Sequence, residues 1–213
     1  ERADDYSGII RLCQTMGAPQ AEFDAHIAAA LDVDEAIRLT ALTILCGIGD
    51  IYFNANPSFP HNCRIFTPAD GGPAQFLPWD MDFVFYHDAN QSIFPTASYN
   101  ISKFVNTPAT RRLYLAHVND LLQTVFNTTY MAPWLAHYGS VVGQDYTARA
   151  TFIQTRPNAA LGQLPAQEVF AITSNGGNGF TVDTNFITLA GTGWIDARGL
   201  EVNGIPYAVN WTT

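Results

Sequence analysis

The sequence predicts an α+β fold: a mainly helical body with a short β hairpin, plus a small C-terminal β-sandwich-like segment. Three features predict it. From Asp4 to about Leu164, apolar residues recur at helical spacing, and the breaks fall at glycine and proline. Inside that body, NCRIFTPADGGPAQFL reads as two short strands around the turn chemistry of Ala69 to Gly72. After Pro165 the helical period stops, and the runs VFAIT, GFTVD, FITLAG, WIDARGLEVNG and YAVNW alternate β-branched or aromatic residues with polar ones and glycine. The expected division is residues 1–165 and a small all-β segment, 166–213, of incomplete immunoglobulin-like character.

The first helix is predicted over Asp4 to Met16, with Ile9, Ile10, Leu12 and Cys13 on one side and Gly17 ending it. Pro19 opens a second helix through AEFDAHIAAAL. Asp32 to Glu35 has capping-box form, Asp32 at the N-cap and Glu35 reaching back. The helix it opens, EAIRLTALTILCG, is apolar on most faces and belongs in the middle of a core. Gly47 and Gly49 end it, and Asp50 follows. Residues 51–61 read as a loop, the hairpin comes next, and its second strand runs into PWDMDF. Pro108 opens a long helix, ATRRLYLAHVNDLLQTVFN, and two shorter helices are expected around Tyr130 to Tyr138 and Asp145 to Thr155.

The chain has 213 residues, 47% hydrophobic and 14% charged, which is enough to build a core. Its formal net charge is −9, and Lys103 is its one lysine. No basic stripe is present to neutralise phosphates, so nucleic acid is excluded as a partner, and so is an anionic membrane surface. No apolar run approaches the roughly 20 residues that span a bilayer. Cys13, Cys46 and Cys63 show neither paired nor zinc spacing and are expected as buried small hydrophobes. The start at ERADDYSG, without an initiator Met, reads as a piece of a longer protein.

Asp80 and Asp82 interrupt the apolar run AQFLPWDMDFVFY. At extended spacing their carboxylates would share a face about 6 to 7 Å apart, and at an effective dielectric near 20 they would repel by about 2 to 3 kcal/mol. Solvent, a proton on one of them, or a divalent cation could offset that. Magnesium suits such a pair, because it takes few carboxylates plus substrate phosphates. The alternative is a turn in which one aspartate caps backbone amides. Asp50 is either a solvated loop residue or a base for an attacking hydroxyl. Asn62 is either a turn residue or an amide that completes a metal shell. His26, His61, His87, His117 and His137 lack metal-ligand spacing, and His117 is expected at the surface of its helix. Arg111 and Arg112 are expected to be solvated, and Trp134, Tyr138 and Trp194 to pack in the core rather than stack on sugars.

The order of these parts is more specific than any one of them. A core helix leads to an aspartate, then an asparagine, a hairpin, and an aspartate beyond it. Protein kinases arrange their catalytic Asp, metal-binding Asn and metal-binding Asp in this way. LDVDEAIRLTALTILCGIGD, HNCRIF and FLPWDMDFVF together resemble the CotH kinase family, the spore coat protein H-like atypical protein kinases, over Leu31 to Phe85. The resemblance implies transfer of the ATP γ-phosphate to Ser/Thr of spore-coat or extracellular proteins, with Mg2+ or Mn2+. It implies Asp50 as catalytic aspartate, Asn62 as a metal- and cofactor-binding amide, Asp80 as principal metal ligand and Asp82 in or beside the metal shell. The loop before Asn62 is longer than the family's, which makes Asn54 a rival ligand, and His61 replaces the first asparagine of the family's pair. No lysine and no glycine-rich phosphate loop precede the motif, so the resemblance covers a C-terminal lobe, and this polypeptide alone is expected to turn over little. It further implies a secreted or cell- or spore-surface setting, with ATP and a protein substrate as partners. The alternatives are a non-catalytic adhesive protein on a degenerate kinase scaffold and a two-carboxylate glycoside hydrolase using Asp50 with Asp80.

Overall fold

The computed structural model describes residues 4–53, 61–95 and 99–212. Among them are seven α-helices: α1 Ser7–Gly17, α2 Gln20–Ala30, α3 Val33–Leu45, α4 Tyr99–Ser102, α5 Pro108–Thr124, α6 Thr128–Val142 and α7 Thr147–Leu161. The strands form antiparallel pairs: β1 Cys63–Phe66 with β2 Gln75–Pro78, β3 Ala171–Ile172 with β4 Gly191–Thr192, and β5 Leu200–Val202 with β6 Ile205–Tyr207. The α+β class holds.

α3 is central because only a narrow strip of it, Asp34 and Arg38, is exposed to water. Ala36, Ile37, Thr40, Ala41, Thr43, Ile44 and Leu45 are all buried. The two buried threonines satisfy their hydroxyls on the helix itself, Thr40 donating to Ala36 O and Thr43 to Thr40 O. α5 packs along α3, and His117 of α5, almost fully buried, reaches the Asp34 carboxylate at 2.8 Å. The expected surface position of His117 is therefore corrected: the ring is buried, and Asp34, exposed in the first turn of α3, gives it a polar partner at the edge of the packing. Arg112 is likewise buried rather than solvated. Its guanidinium reaches the carbonyls of Trp194 and Ala197 and lies 3.7 Å from the Trp211 ring centroid.

α1 starts at Ser7 rather than Asp4 and packs through Leu12, Thr15 and Met16, so Ile10 and Cys13 face outward. Its C-terminal carbonyls are capped from a distance: Lys103 Nζ donates to Met16 O and Ala18 O, both at 2.6 Å. Cys46 and Cys63 are partly buried, and burial pushes their thiols up to about 12 and about 11. α6 and α7 run longer than predicted, through Pro133 and Pro157. Asn127 caps α6 by accepting from Tyr130 N, and Gly143, in the left-handed region, ends it. Trp134 and Tyr138, expected in the core, are exposed on α6 and stack on each other.

The tail after Pro165 does not form a sandwich. It makes two separate strand pairs, the second closed by Asn203 and Gly204, both at positive φ, the conformation that an Asn-Gly hairpin turn requires. Val169, Phe170 and Phe186 are exposed, so no second sheet covers them. Ile195, by contrast, enters the main core.

Candidate functional site

α3 positions both halves of the candidate site. At its N-terminal end, Asp32 N donates to Ala74 O and Ala74 N to Ala30 O, both at 2.9 Å, which pins the chain just before β2. Asp32 caps the helix by accepting from Glu35 N at 3.1 Å, but Glu35 does not reach back as a capping box would have it. Its carboxylate instead accepts from Phe76 N of β2 at 3.4 Å. Burial raises the Glu35 carboxyl above its usual range, while the Phe76 amide pulls the other way. The 13 residues of α3 span about 20 Å, and the seven steps from Phe76 to Phe83 span about 23 Å if extended. The segment after the hairpin thus arrives at the C-terminal end of α3. There Gly49 N donates to Phe83 O (3.1 Å), Phe85 N to Cys46 O (2.8 Å), and Tyr86 N and His87 N to Gly47 O (3.0 and 3.1 Å).

The glycines of GIGD permit this approach. A Cβ on Gly47, whose φ is +58°, would lie 2.9 Å from the Phe152 ring; one on Gly49 would lie 2.7 Å from the Tyr86 ring. Phe85 itself has φ +61°, an outlier for an aromatic residue, held by its bond to Cys46 O and by Phe152, 5.1 Å away between ring centroids. Burial, with the Arg156 cation next in weight, lowers the pKa of the His87 imidazole.

Asp50 leaves this crossing and meets Asn62. Asn62 Nδ2 donates to Asp50 Oδ2 at 2.8 Å and to Asp50 O at 3.2 Å, while Asp50 Oδ1 is buried without a hydrogen-bond partner. Asn62 O accepts from Trp79 N at 2.9 Å, which extends the hairpin one step beyond the Cys63–Pro78 pair. Asp80 comes next. Both Asn62 (φ +56°) and Asp80 (φ +53°) are left-handed, a conformation Asn and Asp tolerate better than most residues. The left-handed turn at Asp80 ends the strand alternation, so the shared face expected for Asp80 and Asp82 is corrected. Both carboxylates are exposed. Water offsets their repulsion, and the run around them is not buried: Trp79, Phe83 and Tyr86 are all exposed.

The structure therefore brings Asp50 to Asn62 and places Asp80 beside them through Trp79. Asn54 lies outside the described residues. His61 is exposed at the entry to β1. Among the described residues no three His, Cys, Asp or Glu side chains cluster closely enough to hold a metal by themselves. Arg64 was not among the sequence candidates. It lies in β1, two residues after Asn62, and its guanidinium is 3.7 Å from the Trp79 ring centroid. A cation in the short strand that directly follows Asn62 was the signal that could have found it. An apolar cleft of about 170 Å3 lies between α6 and α7, lined by Leu135, Gly139 and Tyr146 among others, on elements that carry none of these residues.

Residues 1–161 match the family model described as CotH kinase protein, and the chain belongs to that family. No curated protein matches the chain. No helix among the described residues is long and apolar enough to cross a membrane.

Proposed function

We propose that this chain is the metal- and hydroxyl-binding lobe of a CotH-like protein kinase, which transfers the γ-phosphate of ATP to Ser or Thr of an extracellular or surface protein. One observation carries the reading: Asn62 holds the Asp50 carboxylate by its amide nitrogen at 2.8 Å and, by its backbone oxygen, the residue preceding Asp80. Asp50 Oδ2 is thereby oriented while Oδ1 is buried without a partner, and Asp50 is the proposed base for an attacking hydroxyl. With its nitrogen committed to Asp50, Asn62 offers its amide oxygen to a cation, and Asp80 and Asp82 offer exposed carboxylates. An all-oxygen set of one or two carboxylates and an amide fits Mg2+ or Mn2+ bound together with nucleotide phosphates. The ion, when bound, would neutralise charge on those phosphates. Lys103, occupied at the end of α1, does not serve them; Arg64, exposed on the same end of the hairpin, would.

Mg-ATP binding and phosphate incorporation into a Ser/Thr-rich protein test the reading. Asp50→Ala is expected to lower transfer by about 10²- to 10⁴-fold with nucleotide binding retained. Asp80→Ala is expected to weaken Mg-ATP binding itself. Unchanged transfer in both variants would remove these roles.

A further inference from the structure

Arg156, in α7, is fully buried, and among the described residues no carboxylate is bonded to it. Its partners are backbone carbonyls from two segments that are distant in sequence. Nη2 donates to Ile44 O at 3.1 Å, in the last turn of α3, and lies 3.5 Å from Ser92 O. Nη1 donates to Ala89 O at 3.2 Å and Gln91 O at 2.5 Å. Nε has no partner. Gln163, two residues past α7, adds a tie to the same segment, accepting from Ile93 N at 3.0 Å and donating to Gln91 O at 3.3 Å.

These contacts close a ladder. From Ile44 the chain runs six residues to Asp50; from Ala89 it runs back seven to Asp82. Between them lie the bonds from Phe85, Tyr86 and His87 to Cys46 and Gly47. A buried cation is costly unless fully bonded, and apolar replacements of buried ionic groups are often as stable, so stability alone does not account for a guanidinium here. A planar fork that grips carbonyls of two segments at once does something no apolar side chain can.

We infer that Arg156 is the positioning residue of the candidate site: its guanidinium fixes the segment after Asp82 against the end of α3, and so sets where the Asp80–Asp82 turn lies relative to Asp50. The inference rests on reading those aspartates as a metal site.

The test compares the full 213-residue chain with R156K, whose single ammonium keeps the charge but cannot span both segments. Amide hydrogen exchange is followed at Phe85, Tyr86 and His87, with Leu115 and Val118 of α5 as references, and Mn2+ alone is titrated into each protein, with D80N as control. R156K is expected to lose tenfold or more protection at the first three amides and none at the α5 pair, and to bind Mn2+ at least fivefold more weakly. Unchanged protection at 85–87, an equal loss in α5, or local loss with unchanged Mn2+ affinity would each overturn the inference. If the unaltered chain binds Mn2+ no better than D80N, the metal reading fails, and a site role for Arg156 fails with it. If R156K does not fold, the unaltered chain decides: separate, slowly exchanging Nη signals from Arg156 support the clamp, and a single averaged signal overturns it.

Discussion

Asn62 carries two demands at once, a left-handed backbone and an amide aimed at Asp50. They separate by substitution. Asn62→Gly keeps the backbone at ease and deletes the amide, leaving both Asp50 oxygens without a side-chain partner at a cost of about 1–3 kcal/mol. Asn62→Ala adds a left-handed penalty of about 1–2 kcal/mol to that loss. Urea unfolding should therefore rank the unaltered chain above Asn62→Gly and Asn62→Ala lowest; equal midpoints for the two variants would mean that the backbone at 62 carries no strain. Glu35 supplies a pH signature. Its carboxyl is raised above the ordinary 4.5, chiefly by burial, so the folded state holds that proton to higher pH than the unfolded state does. Its stabilising contribution is present below the ordinary carboxylate value and is lost as pH rises through the folded value. Between pH 4.5 and neutrality, the chain should lose stability relative to Glu35→Gln; unfolding midpoints that run parallel across that window would show the carboxyl to be solvated instead.

At the scale of elements, α3 and the hairpin were legible because their signals are local. The Asp32 cap, the apolar α3, the Ala69–Gly72 turn and the two flanking strands all lie where propensity and period place them. What escaped is what depends on a partner far along the chain. Glu35 turns from capping box to strand contact because β2 offers Phe76 N. Arg112 and His117 are buried because backbone carbonyls of the tail and the Asp34 carboxylate receive them. Asp80 and Asp82 lose their shared face because one left-handed residue ends the strand, and single-residue dihedrals leave little trace in composition. The crossing of the 83–87 segment over GIGD was hidden in the same way: glycines that read as helix stops are also clearance for Phe152 and Tyr86. Gly47→Ala tests that. Left-handed strain of about 1–2 kcal/mol adds to a contact with Phe152 that must give way, so a loss of about 2 kcal/mol or more in thermal or urea unfolding is expected. Phe152→Ala costs stability by itself, yet combined with Gly47→Ala it should show a favourable coupling, because the clash is then gone. Additive effects would place the cost in the backbone alone.

At the scale of the whole molecule, the tail's relation to the helical body is a question of energetics. Two-stranded pairs are marginal by themselves, and the exposed Val169, Phe170 and Phe186 give these pairs no core of their own. The tail is held from outside: Ile195 sits in the body's core, Trp194 Nε1 donates to Pro165 O at 3.1 Å, and the Arg112 guanidinium joins the carbonyls of Trp194 and Ala197 to the face of Trp211. We propose that the break in character at Pro165 marks a change of secondary structure rather than an independent unit, and limited proteolysis distinguishes the two. Ile195→Ala removes a buried side chain at a cost of about 2–4 kcal/mol, and because the tail has little stability of its own, that loss falls on its attachment. Cleavage between residues 166 and 210 should speed up by tenfold or more in Ile195→Ala, and similarly in Arg112→Ala, while a protected fragment ending near Leu164 persists at its original rate. A tail that resisted protease equally in all three proteins would be a folded unit in its own right, and the contacts of Ile195 and Arg112 would then be incidental to its order.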